Sequence, residues 1–260
     1  MSPFKRLLAV LALLALAVPA AASEGVKLDR VPADVRANDP VSLQRGAHAY
    51  VNYCLGCHSL GYMRFNRLQD LGLSEQQIRD NLIPIEAKVG DLMKIAADPK
   101  NAKEWFGVAP PDLSVIARSR ASGDGSGADW LYSYLRGFYR DPSRPTGWNN
   151  TIFANVGMPH VLYQLQGEQV LKTETIERRF GHNEQEVERH EVERLVLAKP
   201  GKMSPAEYDR LVADLVNFLV YVGEPARQTR ETLGIYVLIF LGVFFVLAYA
   251  LKKEFWKDVH

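Results

Sequence analysis

A mainly α-helical external domain, held to a membrane by one C-terminal helix, is the architecture this sequence predicts. Three observations predict it: a first and a last helical stretch expected to cross, an uncharged run from Leu233 to Leu251, and the parts of an export signal at the N-terminus. The chain has 260 residues, carries a formal charge of +1 and is 47% hydrophobic. That suffices for one good core plus a membrane segment. No basic face dominates, which argues against a nucleic-acid partner.

The two ends come first. Lys5 and Arg6 form a charged n-region, Leu7 to Val18 an apolar stretch, and Ala20-Ala21-Ala22 a small-residue cleavage site. The apolar stretch is too short to span about 30 Å of hydrocarbon, so it reads as a signal peptide rather than an anchor. Its removal takes away Lys5 and Arg6 and moves the formal charge from +1 to −1. At the other end, nineteen residues from Leu233 to Leu251 carry no charge, enough for one transmembrane helix. Tyr236 marks one edge and Tyr249, Phe255 and Trp256 the other, and Lys252, Lys253 and Lys257 follow in the positive-inside pattern. A buried core helix rarely lacks polar residues for about five turns. The expected division is a signal peptide at 1–22, an external domain at 23–231, a transmembrane anchor at 232–251 and a cytoplasmic tail at 252–260.

Ser23 to Asp39 is polar and reads as an extended lead-in. Ser42 is expected to cap a helix running to Val51. Gly46 inside that helix costs about 1 kcal/mol against alanine, which points to close approach by a second helix. The expected partner is capped by Ser204, with Pro205 at its first position and Glu207 closing a capping box. Tyr208, Leu211, Val212, Leu215, Phe218, Leu219 and Val222 give it an apolar stripe, and Gly223-Glu224-Pro225 ends it.

The first helix runs into Asn52-Tyr53-Cys54-Leu55-Gly56-Cys57-His58-Ser59. Cysteines three apart on a helical turn reach adjacent pyrrole edges, and the histidine falls beneath the metal, so C-x-x-C-H reads as a haem attachment site. A zinc site would need more ligands than two cysteines supply, and the chain has no others. A redox dithiol would not require His58 and would sit in a βαβ pattern that is not evident. One haem c is therefore expected, bound through Cys54 and Cys57 with His58 on the iron. Export fits this chemistry, because bacteria attach haem to cysteines outside the cytoplasm.

The sequence resembles the cytochrome c1 family, the haem subunit of cytochrome bc1 complexes, in a bacterial form. The resembling motifs are Arg45-Gly46, Cys54-Leu55-Gly56-Cys57-His58-Ser59, Ala109-Pro110-Pro111-Asp112-Leu113-Ser114, Asn155-Val156-Gly157-Met158-Pro159, and Val216-Asn217-Phe218-Leu219 with Glu224-Pro225, followed by the single span. The resemblance implies a mainly α, cytochrome c-like haem domain with long loops and insertions. Gln164 to Lys202, rich in Glu and Arg, departs from the family's common core and reads either as a charged hairpin turning at Gly181-His182-Asn183 or as a solvated helix.

A sixth iron ligand is needed, and methionines 63, 93, 158 and 203 compete with the histidines. Met63 lies on the His58 side, and Met203 enters the last helix. Met158 sits between Gly157, which lets the chain bend, and Pro159, which keeps it from being helical. His48 and His160 are the bis-histidine alternatives, while the resemblance points to Met158. A thioether ligand would hold the potential high. Pro110 or Pro111 offers a carbonyl to the His58 ring, or the prolines only stop a helix. Arg118 and Arg120 are candidates for the haem propionates, with the resemblance favouring Arg120. Trp130, Tyr132, Tyr134, Phe138 and Tyr139 recur at near-helical spacing and are expected to wall the haem.

With His58 and Met158 on the iron, no position is left for oxygen chemistry, and one-electron transfer follows. The resemblance implies an electron-transfer subunit of a quinol–cytochrome c oxidoreductase, with no bond chemistry of its own. Cytochrome b, a Rieske iron–sulfur protein as donor, a soluble or anchored cytochrome c as acceptor, membrane lipid and a dimeric complex are the partners implied. The implied location is the inner membrane, with the haem domain in the periplasm. The alternative is a stand-alone membrane-anchored cytochrome shuttle.

Overall fold

The computed structural model describes residues 26–32, 39–84, 87–95, 98–180 and 186–258. The elements run α1 (Pro40–Tyr53), β1 (Leu60–Arg64), a 3-10 helix (Phe65–Leu71), α2 (Glu75–Asn81), β2 (Leu92–Met93), α3 (Pro99–Phe106), α4 (Ile116–Ser119), α5 (Gly127–Arg136), β3 (Phe138–Arg140), β4 (Trp148–Asn150), α6 (Tyr163–Gln166), β5 (Gly167–Phe180), β6 (Glu186–Pro200), α7 (Pro205–Gly223) and α8 (Arg227–Phe255). The signal peptide at 1–22 and the turn at Gly181-His182-Asn183 lie outside the described residues.

The centre of the domain is the crossing of α1 and α7. The Asp39 side chain caps α1 by accepting from the Val41 amide at 3.0 Å, with Pro40 at the first helical position. Ser42, the expected cap, is instead buried one turn inside the helix. Its hydroxyl donates to Asp214 Oδ1 at 2.6 Å and accepts from Asn217 Nδ2 at 3.0 Å. A distant partner on α7 claims that hydroxyl, so the cap falls to the aspartate before the proline. Gly46 does meet α7 closely, for a Cβ there would collide with the Asp214 carbonyl and lie 2.7 Å from Phe218 Cβ. Arg45 reaches Asp214 beside it, at 2.5 Å from Nε.

α7 begins as its sequence predicts. Ser204 accepts from the Glu207 amide, and Glu207 Oε2 accepts from the Ser204 amide at 2.8 Å. Tyr50 of α1 and Phe218 of α7 are fully buried, with ring centroids 5.8 Å apart. Each such ring contributes roughly 1.5–3 kcal/mol by leaving water. Tyr208, also fully buried, spends its hydroxyl on the Leu135 carbonyl at 2.8 Å and so ties α7 to α5. Met63 and Met93 are core residues, and Met203 packs half-buried against the same core.

Among the described residues, three two-stranded antiparallel sheets decorate the helices. The largest is the charged segment, in which β5 and β6 pair from Gly167↔Pro200 to Phe180↔Glu186. Of the two readings of 164–202 the hairpin is therefore the right one, in keeping with its many β-branched residues. Its base is fixed to β3, since Gln169 Nε2 donates to the Phe138 carbonyl at 2.9 Å and Arg140 pairs with Glu168 at 3.1 Å.

α8 starts before the uncharged run and continues past Lys252 and Lys253. It is long and apolar enough to cross a membrane, and none of its apolar stretch is buried. A core helix would be covered. This one is not.

Candidate haem site

The last turn of α1 delivers the motif. The Cys54 amide bonds the Tyr50 carbonyl at 2.8 Å, and the Cys57 and His58 amides turn back onto the Cys54 carbonyl at 3.0 and 2.8 Å. Both cysteines and His58 are thus gathered on consecutive tight turns. Tyr50 Oη donates to the His58 carbonyl at 2.5 Å, so a core ring fixes the backbone of the histidine. Burial pushes the Cys54 thiol up to about 12, with Cys57 adding to the effect. A redox dithiol needs the opposite shift, because the thiolate is its nucleophile.

His58 Nδ1 lies 2.8 Å from the Pro111 carbonyl. That contact assigns the ring proton to Nδ1 and leaves the Nε2 lone pair for a metal. Burial lowers the ring's pKa below its ordinary value while the Pro111 carbonyl opposes, so the neutral form is favoured. Between the two expected prolines, Pro111 makes the contact. It is held there by a clamp. Asp112 Oδ2 accepts from the Gly61 amide at 2.7 Å, the Leu113 amide donates to the Ser59 carbonyl at 2.9 Å, and the Tyr62 amide donates to Ser114 Oγ at 3.1 Å. Asp112, Ser59 and Ser114 were not assigned roles from sequence. The available signal was Asp112 two residues before Ser114, where a carboxylate bonds its own backbone.

Met158 is half-buried against the core on a pinned loop. Asn149 Oδ1 accepts from the Asn155 amide at 2.8 Å, and Arg144 holds Asn155 through both its side-chain and main-chain oxygens. The loop bends at Asn155, with φ 60°, and not at Gly157, whose φ is not positive. Asn tolerates that conformation far better than most residues do. Tyr134 Oη lies 3.4 Å from the Met158 sulfur.

Of the five aromatics, Trp130, Tyr134 and Phe138 form a row leading to Met158. Trp130 stacks on Tyr134 at 4.9 Å, and Phe138 meets Tyr134 edge-on at 5.1 Å. The helical spacing breaks after Arg136, so Phe138 and Tyr139 belong to a strand. Tyr132 lies under the Arg136 guanidinium, at 4.5 Å. Arg120 is half-buried with its guanidinium 4.5 Å from the Trp130 ring centroid, and among the described residues it makes no ion pair. Arg118 is exposed, its stem against Gly223.

The histidine alternatives are differently employed. His48 is exposed on α1. His160 is 2% exposed, stacked on Phe138 at 4.8 Å and edge-on to Trp148 at 5.0 Å. Burial pushes its pKa down to about 4, against an opposing effect of Gln166. Among the described residues its Nε2 has no hydrogen-bond partner of normal geometry, and neither has Gln166 Oε1.

These residues fit a haem c: two thiols on one turn, an imidazole whose Nδ1 is bonded to a carbonyl, a thioether on a fixed loop and, beside an aromatic row, a guanidinium with no ion pair among the described residues. The Cytochrome C1 family model matches residues 34–102 and 198–259, which take in α1 with its motif and α7 with α8. A cytochrome c1 of Allochromatium vinosum is 47% identical over 257 residues, 98% of this chain and 99% of that one.

The chain belongs to the cytochrome c1 family.

The ammonia monooxygenase gamma subunit of Nitrosomonas europaea is 53% identical over 248 residues, 95% of each chain. A Bradyrhizobium diazoefficiens protein named cytochrome b/c1 is 28% identical over 256 residues, 85% of this chain and 34% of that one. As a cytochrome c1 family member the chain carries one haem c, covalently attached through Cys54 and Cys57, and is the haem electron-transfer subunit of a cytochrome bc1 complex, alongside cytochrome b. Pro111, Arg120, Met158 and all of the β5–β6 hairpin before Ala198 lie outside the family-model match.

Proposed function

We propose that this subunit receives one electron at a time from a Rieske iron–sulfur protein, after quinol oxidation at cytochrome b, and passes it to a periplasmic cytochrome c. Bound haem supplies the one-electron Fe(III)/Fe(II) couple. His58 Nε2 and the Met158 sulfur would hold the iron, with the Pro111 carbonyl fixing the His58 tautomer. Arg120 would pair with the haem propionates. The observation that carries this reading is the pair of independently anchored ligands: the Pro111 carbonyl 2.8 Å from His58 Nδ1, and the Met158 loop pinned through Asn149, Arg144 and Tyr134. Two fixed ligands leave no position for a substrate, which suits outer-sphere electron transfer.

The haem domain, residues 23–231, lies in the periplasm after removal of the signal peptide at 1–22. Residues 232–251 form the anchor in the inner membrane, 252–260 form a cytoplasmic tail, and the complex is dimeric. Isolation of the tagged protein from detergent-solubilised native membranes tests the assembly. Cytochrome b and a Rieske protein are expected to come with it, together with quinol–cytochrome c turnover. Recovery of the loaded subunit alone would favour a tethered shuttle. Monooxygenase polypeptides in their place would favour the role named for the Nitrosomonas relative.

Ending the chain at Thr232 is expected to release a folded, haem-bearing periplasmic protein, because α7 closes the core by Gly223 and α8 covers none of it. The partition of haem stain between soluble and washed-membrane fractions checks this. Retention in the membranes would require a second anchor, and failure to fold would make α8 part of the core.

A further inference from the structure

We propose that the Tyr134 hydroxyl raises the haem potential of this subunit by donating a hydrogen bond to the sulfur of Met158. The inference rests on Met158 being an iron ligand and assigns the tuning of that ligand to a residue of α5.

The geometry is specific. Tyr134 Oη lies 3.4 Å from Met158 Sδ, and this is the one hydrogen bond that hydroxyl makes among the described residues. The ring is 9% exposed, with Trp130 stacked on it and Phe138 edge-on against it. A phenylalanine would fill that space equally well. A buried hydroxyl costs free energy unless it is bonded, so the oxygen needs a partner, and the sulfur is the partner present.

One asparagine couples donor and acceptor. Asn150 Nδ2 donates to the Tyr134 carbonyl at 2.8 Å, while its Oδ1 accepts from the Ile152 and Phe153 amides at 2.8 and 3.2 Å. The end of α5 and the start of the Met158 loop therefore share a single bracket.

The chemistry follows from the thioether. Sulfur has two lone pairs, and donation of one to iron leaves the other for a weak hydrogen bond. The donor withdraws electron density from the sulfur. Ferric iron depends on that density more than ferrous iron does, so the ferrous form gains and the potential rises. No proton is transferred and no bond breaks.

The test is Tyr134→Phe in the assembled complex, followed by redox titration of the haem absorbance. The far-red charge-transfer band of Met on ferric iron is expected to remain, and the potential to fall. A neutral hydrogen bond contributes about 1 kcal/mol, equivalent to roughly a fivefold shift in the reduction equilibrium. At 59 mV per tenfold for one electron that is about 40 mV. A 3-fluorotyrosine in place of Tyr134 keeps the shape and strengthens the donor, so the potential is expected to rise. Opposite signs in the two proteins support the proposal. An unchanged potential in both overturns it, and so does loss of the band in Tyr134→Phe, which would make the hydroxyl a mere prop for the loop. If the phenylalanine variant does not assemble, the sign of the fluorotyrosine shift decides alone. Failure of the ligand reading is distinguishable, because the band would then persist in Met158→Leu.

Discussion

Met158→Leu is expected to leave haem attached through Cys54 and Cys57 while quinol-to-cytochrome c turnover collapses. Leucine is close in size, so the half-buried site and its loop should survive, at a cost under about 1.5 kcal/mol. On the proposed ligation, what is lost is the soft neutral ligand that favours ferrous iron. Axial ligation spans roughly 0.8 V of haem potential. A drop of about 0.2 V, a quarter of that range, makes acceptance of the electron ~10³-fold less favourable at 59 mV per tenfold. The ferrous form should also begin to bind carbon monoxide. Met63→Leu and Met93→Leu should do neither, since both side chains are core, 2% and 0% exposed. Met203→Leu, at the entry to α7, should be equally silent. If Met158→Leu keeps the far-red band and stays closed to carbon monoxide, the ligand lies elsewhere, and His160 and His48 are the next positions to change.

That Met158 is non-helical was legible in the sequence, while the details of its loop were not, and the difference has a physical basis. Pro159 restricts its neighbour locally, so a non-helical Met158 could be read directly from two residues. The bend itself was placed at Gly157 because glycine adopts positive φ most easily. It occurs at Asn155, where Arg144 and Asn149 supply the contacts that stabilise the left-handed residue. Those partners are remote in the chain, and no local pattern announces them.

The helix starts divide in the same way. The Ser204–Glu207 box is a reciprocal local pair and was read correctly. Ser42 looked like an equally good cap, but its hydroxyl belongs to Asp214, 172 residues away. The row of aromatics was half legible: the i, i+4 pair Trp130–Tyr134 is on one face, but Gly137 ends the helix before Phe138 and Tyr139. Gly137 is there because Thr151 Oγ1 would lie 2.7 Å from any Cβ. In the haem motif the chemistry is carried by covalent spacing, which tertiary structure cannot override. The clamp that fixes His58 depends on Asp112 meeting Gly61 and Leu113 meeting Ser59 across the fold, and so appears only in three dimensions.

Gly46→Val is expected to abolish accumulation of the haem protein, and Gly46→Ala to weaken it measurably. Alanine would gain about 1 kcal/mol of helix propensity over glycine. Against this, the new Cβ meets the Asp214 carbonyl, which is backbone in the middle of α7, and lies 2.7 Å from Phe218 Cβ. Neither is the free end of a flexible side chain, so the helices must part. Overpacking of this kind costs typically 1–3 kcal/mol, and parting also strains a buried network. The Asp214 carboxylate is 3% exposed and depends on Ser42 at 2.6 Å and Arg45 at 2.5 Å. A buried charge that loses its partner costs about 3–5 kcal/mol. For the alanine variant the network stretches but holds, and the net loss of about 1–2 kcal/mol lowers Tm by roughly 2–8 °C in a domain of this size. Valine adds two methyl groups at the same contact and breaks the network outright. Since α1 delivers Cys54, Cys57 and His58 from its last turn, the same displacement moves the attachment site away from Pro111. Thermal unfolding of the Thr232-terminated protein measures the first effect, and haem stain per unit of polypeptide the second. A valine variant with full haem and an unshifted Tm would show that the α1–α7 contact is looser than the backbone collision requires.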